Sequence, residues 1–166
     1  MICTGDKMTL NDLFSQLPLQ YEYYPIHYLV MVDFENNLNW MQKEEKEKLF
    51  NIFDKPANSM KERIKFLLND AFALKILDGI NTIGTIYFWD IDLEKMEIGD
   101  MRLVLAPEYQ HKGIGYGVID YLLYWLQHND FKIISASIEQ KDVAAIKCFE
   151  KAGFRKTEKD KYSIKF

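Results

Sequence analysis

The stretch Met101-Arg-Leu-Val-Leu-Ala-Pro107-Glu-Tyr-Gln110-His-Lys-Gly113-Ile-Gly115-Tyr-Gly117 decides how the rest of the chain is read. It opens as an apolar strand and stops at Pro107, whose ring removes a ladder donor. A turn carrying three glycines follows. Beyond it Ile114, Val118, Ile119, Leu122, Leu123 and Leu126 recur at three- and four-residue steps, which predicts an amphipathic helix. A strand that feeds a glycine turn and then a helix presents free backbone N–H groups at the positive end of the helix dipole. Such an end accommodates an anion, most naturally a pyrophosphate. Glycine lets a phosphate approach the backbone because no Cβ intervenes, and Lys112 adds a mobile positive charge. The competing reading is a turn that only reverses the chain. Two other phosphate signatures are absent: Gly113, Gly115 and Gly117 do not fit G-x-G-x-x-G, and no G-x-x-x-x-G-K-[ST] run exists.

Downstream, Lys132–Ile138 reads as a short strand. After it comes Asp142-Val-Ala-Ala-Ile-Lys-Cys-Phe-Glu-Lys-Ala-Gly-Phe154, whose Gly153 suits the left-handed residue just past a helix end. The chain is 166 residues long with 48% hydrophobic content, enough for one core, so a single domain spanning 1–166 is expected. Net charge is −4 and the pI about 5.4, which opposes a nucleic-acid binder and mildly suits a cationic partner. Cys3 and Cys148 make no disulfide framework, and His27, His111 and His128 lack metal-ligand spacing, so no metal is expected. No apolar run is long enough for a membrane span and the start lacks a signal pattern, so a cytoplasmic protein is expected.

Upstream the pattern is less regular. Thr9-Leu-Asn-Asp-Leu-Phe14 opens a short helix, and either Met1–Thr4 or Ile26–Val32 supplies the first strand. Asn39 caps a helix reaching about Phe53, whose run Glu44-Glu-Lys-Glu-Lys48 reads as a solvated face. Ser59-Met-Lys-Glu62 is a capping box opening a second helix with Met60, Ile64, Leu67 and Leu68 on one side. Then the period changes to two: Phe72–Asp78, Thr82–Ile91 and Met96–Leu105 form a meander, with Asp78-Gly79 as its first turn. From Phe72 the order is therefore β-β-β, helix, β, helix, β-β, closing at Tyr162–Phe166, with no repeat and no linker.

Gln110-x-x-Gly113-x-Gly115 followed by Ala145-Ile-Lys-Cys-Phe-Glu-Lys-Ala-Gly-Phe154 resembles the GNAT superfamily of acetyl-CoA-dependent N-acetyltransferases. Within it, the likeness leans toward aminoglycoside 6′-N-acetyltransferases and ribosomal-protein N-terminal acetyltransferases. It is clear from about Phe72 onward. The resemblance implies an α/β fold: a mixed, mostly antiparallel central sheet, helices on both faces and a splayed, cofactor-binding strand pair. It implies acetyl-CoA as cosubstrate, with 71–166 as its binding core and 1–70 as the variable acceptor side. Backbone groups of Leu103, Val104 and Leu105 would then hold the pantetheine arm and polarise the thioester carbonyl. The amides of Gln110, His111, Lys112, Gly113, Ile114 and Gly115 would hold the pyrophosphate, and Asp142 and Phe149 lie in the second cofactor motif.

Acetyl transfer to an amine needs a base for the ammonium and a donor for the developing oxyanion. The thiolate, with a pKa near 8.5, can leave unassisted. Asp100, six residues before Ala106, is the expected base; a structural aspartate is the alternative. Asp90, Asp92, Glu94 and Glu97 form an acidic neighbourhood suited to attracting a cation. Two departures from the family pattern matter. Asp142 stands where an asparagine is frequent, and Phe149 stands where a tyrosine often protonates the leaving group. Tyr116 or Tyr162 is the substitute donor, or the step needs none. Tyr21, Tyr23, Tyr24, Tyr28 and Trp40 are candidates for an acceptor wall. The implied function is direct acetyl transfer to a primary amine, first a small polycation such as an aminoglycoside or polyamine, second a protein N-terminus. A homodimer is allowed, with neither nucleic acid nor membrane as partner. The alternative is a non-catalytic acyl-CoA-binding or interaction module.

Overall fold

A computed structural model describes residues 8–28 and 72–166. The chain starts with the short helix α1 (Leu10–Phe14), followed by β1 (Leu19–Tyr21) and β2 (Tyr24–Tyr28). The meander is β3 (Phe72–Asp78), β4 (Asn81–Asp92) and β5 (Glu97–Leu105). After a 3-10 turn at Pro107–Tyr109 come α2 (Ile114–His128), β6 (Ile133–Ser137), α3 (Val143–Lys151), β7 (Arg155–Glu158) and β8 (Lys161–Lys165). The strands form one sheet in the order β1-β2-β3-β4-β5-β6-β8-β7. Every pairing is antiparallel except β5 with β6, which a helix crossover makes parallel.

The meander, α2, α3 and the closing hairpin lie where the sequence places them. The first described strand differs: β1 precedes β2 through a turn at Glu22 (φ 48°) and Tyr23, and β2 contains residues 26–28 of the predicted Ile26–Val32 strand, whose residues 29–32 lie outside the described ones. The hairpin is hidden in the sequence because β1 is only three residues long and no glycine marks its turn. Met1–Thr4 and the two helices expected at 39–53 and after Ser59 lie outside the described residues, as does Trp40.

Register fixes which residues share a face. Gly84, Ile86 and Phe88 oppose Leu105, Leu103 and Met101 on one face; Thr85, Tyr87 and Trp89 oppose Val104, Arg102 and Asp100 on the other. Helix α2 covers the first face, packing Ile114, Val118, Ile119 and Leu122 into a cluster with Ile26, Leu74, Ile76, Ile86, Phe88 and Met101. Each such side chain contributes roughly 1.5–3 kcal/mol on burial. Its C-terminal end is held by the turn just past α1: the Trp125 indole N–H donates to Gln16 Oε1 (2.7 Å), and the Gln16 amide donates to Asn129 Oδ1 (2.6 Å). Helix α3 packs beside α2 over the β6–β8 end, where a Cβ on Gly153 (φ 106°) would meet Ile164 at 3.1 Å. No described helix is long and apolar enough to cross a membrane.

Candidate active site

The parallel pair is joined only at Glu97↔Ile133 and Ile98↔Ile134. Beyond those residues β5 runs on to Leu105 while β6 pairs only with β8, so the two strands part. Asp100 closes the narrow end: its Oδ1 accepts a 2.7 Å hydrogen bond from the Ser137 N–H across the split. On the other edge of β5, the Ala106 N–H donates to the Ile83 carbonyl at 2.8 Å, which fixes the phase of the β4–β5 ladder. By alternation Val104 directs its backbone groups to Thr85 of β4, whereas Leu103 and Leu105 turn theirs toward the gap. The three-residue backbone set expected from the sequence is thereby corrected to two residues. The Leu105 carbonyl accepts from the Gln110 side-chain amide at 2.9 Å, folding the turn back over the strand end.

The wide end of the gap is faced by the start of α2. His111 (φ 58°) and Gly113 (φ 82°) adopt the left-handed conformation that brings the chain into the helix. The first helical bond runs from the Gly117 N–H to the Gly113 carbonyl (3.1 Å), so the N–H groups of Ile114, Gly115 and Tyr116 precede it and have no intrahelical acceptor. A Cβ on Gly113 would meet nothing within 4 Å, which leaves an open approach to these amides. One on Gly115 would touch Leu105 and Leu103 at 3.4 and 3.5 Å, so the helix start lies against the gap strand. Lys112 extends over the Tyr109 ring (5.6 Å), and the Tyr109 hydroxyl donates to Asp78 Oδ2 at 2.8 Å. That bond raises the Tyr109 pKa above its ordinary value.

On the face away from α2, Asp100 is one of a row. Its pKa is raised, first by burial; the Arg102 guanidinium (3.5 Å) and the Ser137 N–H oppose the shift. Arg102 lies over the Trp89 ring (5.7 Å), and Trp89 stands edge-on to Tyr87 (5.7 Å). Burial raises the Tyr87 hydroxyl pKa strongly. Arg102 and Ser137 escape a sequence reading because neither stands in a motif; the period-two pattern that pairs Asp100 with Arg102 is their only signal. The acidic neighbourhood lies at the other end of β5. Its Asp92 is engaged locally, accepting from the Glu94 and Lys95 N–H groups (3.0 Å each) and pairing with the Lys95 ammonium (3.1 Å). Glu97 is roughly 27 Å along the strand from Leu105 at 3.4 Å per residue.

The second motif lies beside the gap. Asp142 caps α3, accepting from the Ala145 N–H at 3.0 Å. Phe149 is buried, edge-on to Phe154 at 5.0 Å, and carries no exchangeable proton. Helix α3 reaches α2 at the mouth, where Cys148 Sγ lies 3.8 Å from the place of a Gly115 Cβ. Burial raises the Cys148 thiol pKa, which works against a nucleophilic thiolate. The two substitute donors are apart in the fold: Tyr116 sits at the start of α2 with the Lys151 ammonium on its ring (4.1 Å), and Tyr162 is buried on β8 opposite Ala136. Among the described residues no cluster of His, Cys, Asp or Glu is arranged to hold a metal.

A parted parallel pair with an amide-bearing helix start at its mouth is the arrangement that the two sequence motifs imply. The family described as Acetyltransferase (GNAT) matches residues 27–154, most of the chain. The chain belongs to the GNAT family. Solved structures with this GNAT fold include ribosomal-protein-S5-alanine acetyltransferase from Vibrio fischeri (TM-score 0.64, 18% identity, covering 89% of this chain and 95% of that one). Spermidine N-acetyltransferase from Vibrio cholerae in complex with CoA and spermine aligns at TM-score 0.65 and 18% identity over 86% of this chain and 95% of that one. A domain from Methanocaldococcus jannaschii DSM 2661 aligns at 0.67 and 19%, covering 86% and 98%. At these identities the likeness establishes the fold. A comparison with curated proteins gives no match.

Proposed function

We propose that this GNAT chain moves the acetyl group of acetyl-CoA directly to a primary amine. The observation that carries the reading is the β5–β6 gap with three acceptor-free amides of α2 at its mouth. The residues present suit coenzyme A: amides of Ile114, Gly115 and Tyr116 face an open approach for a diphosphate, Lys112 adds positive charge, and the backbone of Leu103 borders the gap. When bound, acetyl-CoA supplies an acetyl thioester with a thiolate leaving group.

The chain's own groups perform the rest. The Leu103 N–H donates toward the carbonyl oxygen as negative charge grows there. Asp100 takes the proton of the incoming ammonium at the oxygen not fixed by Ser137, directly or through water. Its raised pKa strengthens it as a base, and the Arg102 guanidinium opposes the shift by favouring the ionised form. Tyr116 and Tyr162 are the available hydroxyls, Phe149 excludes water without donating, and an unassisted thiolate departure is the simplest course. The first acceptor class is a small polycation, an aminoglycoside or polyamine, supported by the net charge of −4 and by a GNAT relative named for spermidine. The second is a protein N-terminus, supported by a relative named for a ribosomal protein. Residues 1–70 are assigned to the acceptor side.

Two residues favour a second reading. Phe149 lacks the hydroxyl of a leaving-group acid and Asp142 lacks an amide donor, which suits a non-catalytic acyl-CoA-binding module on the same fold. Thiol release from acetyl-CoA, followed across polyamines, aminoglycosides and short peptides, separates the two. Turnover on any amine supports the transferase; cofactor binding with no turnover across the panel overturns it.

A further inference from the structure

We propose that the acceptor is an amine that also carries a carboxylate, a free α-amino acid in its simplest form, and that the Arg102 guanidinium beside the base holds that carboxylate. The inference rests on the transferase reading above and names the acceptor class for the same site. Asp100 and Arg102 are successive residues on one face of β5, the face away from α2, with Trp89 and Tyr87 of β4 opposite them. Asp100 Oδ1 is taken by the Ser137 N–H (2.7 Å). Oδ2, the oxygen left for the incoming amine, has Arg102 Nε at 3.5 Å.

A guanidinium presents a rigid fork of N–H donors and accepts nothing. In Arg102 that fork is largely unengaged. Its one ion pair among the described residues is with Asp100, and Nε is buried without a hydrogen-bond acceptor. The terminal nitrogens have no acceptor among the described residues either. They are not enclosed as Nε is, and the side chain keeps 24% exposure. The group is nevertheless held in place: its central carbon lies over the Trp89 ring at 5.7 Å, and Tyr87 stands edge-on to that ring. Charged donors left without acceptors in a half-buried place are destabilising, and an anion relieves the cost.

The spacing selects the anion's distance from the amine. An ammonium held about 2.8 Å from Oδ2 lies within about 6 Å of Arg102 Nε. An α-amino acid spans that length, because its carboxylate oxygens stand about 3 Å from the nitrogen and a charge-assisted bond adds about 2.8 Å. Its ammonium then meets Asp100 and its carboxylate meets Arg102, so each charge faces its opposite. A carboxylate matches the fork and brings one charge, whereas a phosphate brings nearly two beside Asp100. A polycation fits less well. Of Lys75, Thr85, Tyr87, Trp89, Asp100 and Arg102, described residues that share this face, Asp100 is the one acid, and Arg102 repels a second ammonium. Charges at the site therefore rank the acceptors differently from the net charge of the chain. In the transfer, one ammonium proton goes to Asp100 and the nitrogen bonds to the acetyl carbon. The C–S pair leaves on sulfur, and the second proton goes to the thiolate or to water.

Thiol release at saturating acetyl-CoA tests this with the standard amino acids, their α-carboxamides and spermidine as acceptors. The amide is the more readily deprotonated amine, so a preference for the acid reports recognition. The wild type is expected to use at least one amino acid with a kcat/KM about ten- to a hundredfold above that of its amide, and above that of spermidine. In Arg102→Gln the KM of that amino acid rises by the same factor, while the KM of its amide changes less than about twofold. Arg102→Lys keeps a cation beside Asp100 without the fork, so it loses most of the preference while the acid limb of the pH profile stays in place. Thermal melts verify folding, and the wild-type comparison decides alone if a variant does not fold. Equal losses for acid and amide make Arg102 a positioning residue for the base and overturn the inference. Wild-type preference for the amides or for spermidine also overturns it, with the transferase reading intact. Turnover on no amine overturns both.

Discussion

Replacing Asp100 separates its two assigned tasks, holding the strands apart at a set distance and accepting a proton. The carboxylate takes a 2.7 Å bond from the Ser137 N–H with its side chain only 13% exposed. A hydrogen bond to a charged group in such a place contributes about 1.5–3 kcal/mol. Asp100→Ala removes it and leaves the Arg102 charge without its partner; the relieved desolvation of the carboxylate offsets part of the loss. The net cost is about 2 kcal/mol, which lowers Tm by about 4–8 °C in a domain of this size. Asp100→Asn keeps an oxygen for the Ser137 N–H and stays within about 1 kcal/mol of the wild type. Both lose the base, so both lose about 10²–10⁴ in kcat. The pH dependence has a definite sign. The folded-state pKa of Asp100 lies above its ordinary 3.8, so the stability it contributes is present in acid and is lost as pH rises through the folded value. Asp100→Asn therefore gains on the wild type from acid toward neutral pH. Circular-dichroism melts across pH, with thiol-release kinetics on the same samples, read both effects. An Asp100→Ala protein melting within about 1 °C of the wild type refutes the strut.

Activity of the wild type falls as pH falls through the Asp100 value, and the acid limb of kcat/KM is placed above the ordinary carboxylate range; a limb at or below 3.8 contradicts the assignment. Phe149→Ala opens a cavity against Phe154 and costs about 3–5 kcal/mol, read as a thermal melt lowered by about 6–20 °C. Asp142→Ala removes the α3 cap for about 1 kcal/mol, while Asp142→Asn melts as the wild type does. Gly117→Ala gains about 1 kcal/mol of helix propensity but displaces Tyr21, so its stability recovers further when Tyr21→Leu is added, measurable as a double-mutant coupling.

Periodicity made the core of this fold legible. β3 ends at Asp78 as predicted because Asp-Gly marks the turn there, and α2 starts at Ile114 because glycine and the apolar stripe agree there. The β1–β2 hairpin was illegible: β1 is only three residues long, and its turn uses Glu22 in a left-handed conformation that a glycine would normally signal. For the site, the glycine turn carried the anion end because backbone chemistry follows from local sequence. The Asp100–Ser137 bond joins residues 37 positions apart, which no local pattern encodes. The backbone phase that turns Val104 away from the gap depends on the register with β4, which the sequence of β5 alone does not contain.

The central claim is that the amides opening α2 grip the cofactor's diphosphate while its arm lies along β5. Titrating the ¹⁵N-labelled chain with coenzyme A and following amide resonances tests it residue by residue. The account predicts the largest shifts at Ile114, Gly115 and Tyr116, with a second set at Leu103. Saturating coenzyme A that leaves those four amides unmoved, while others shift or none do, contradicts it.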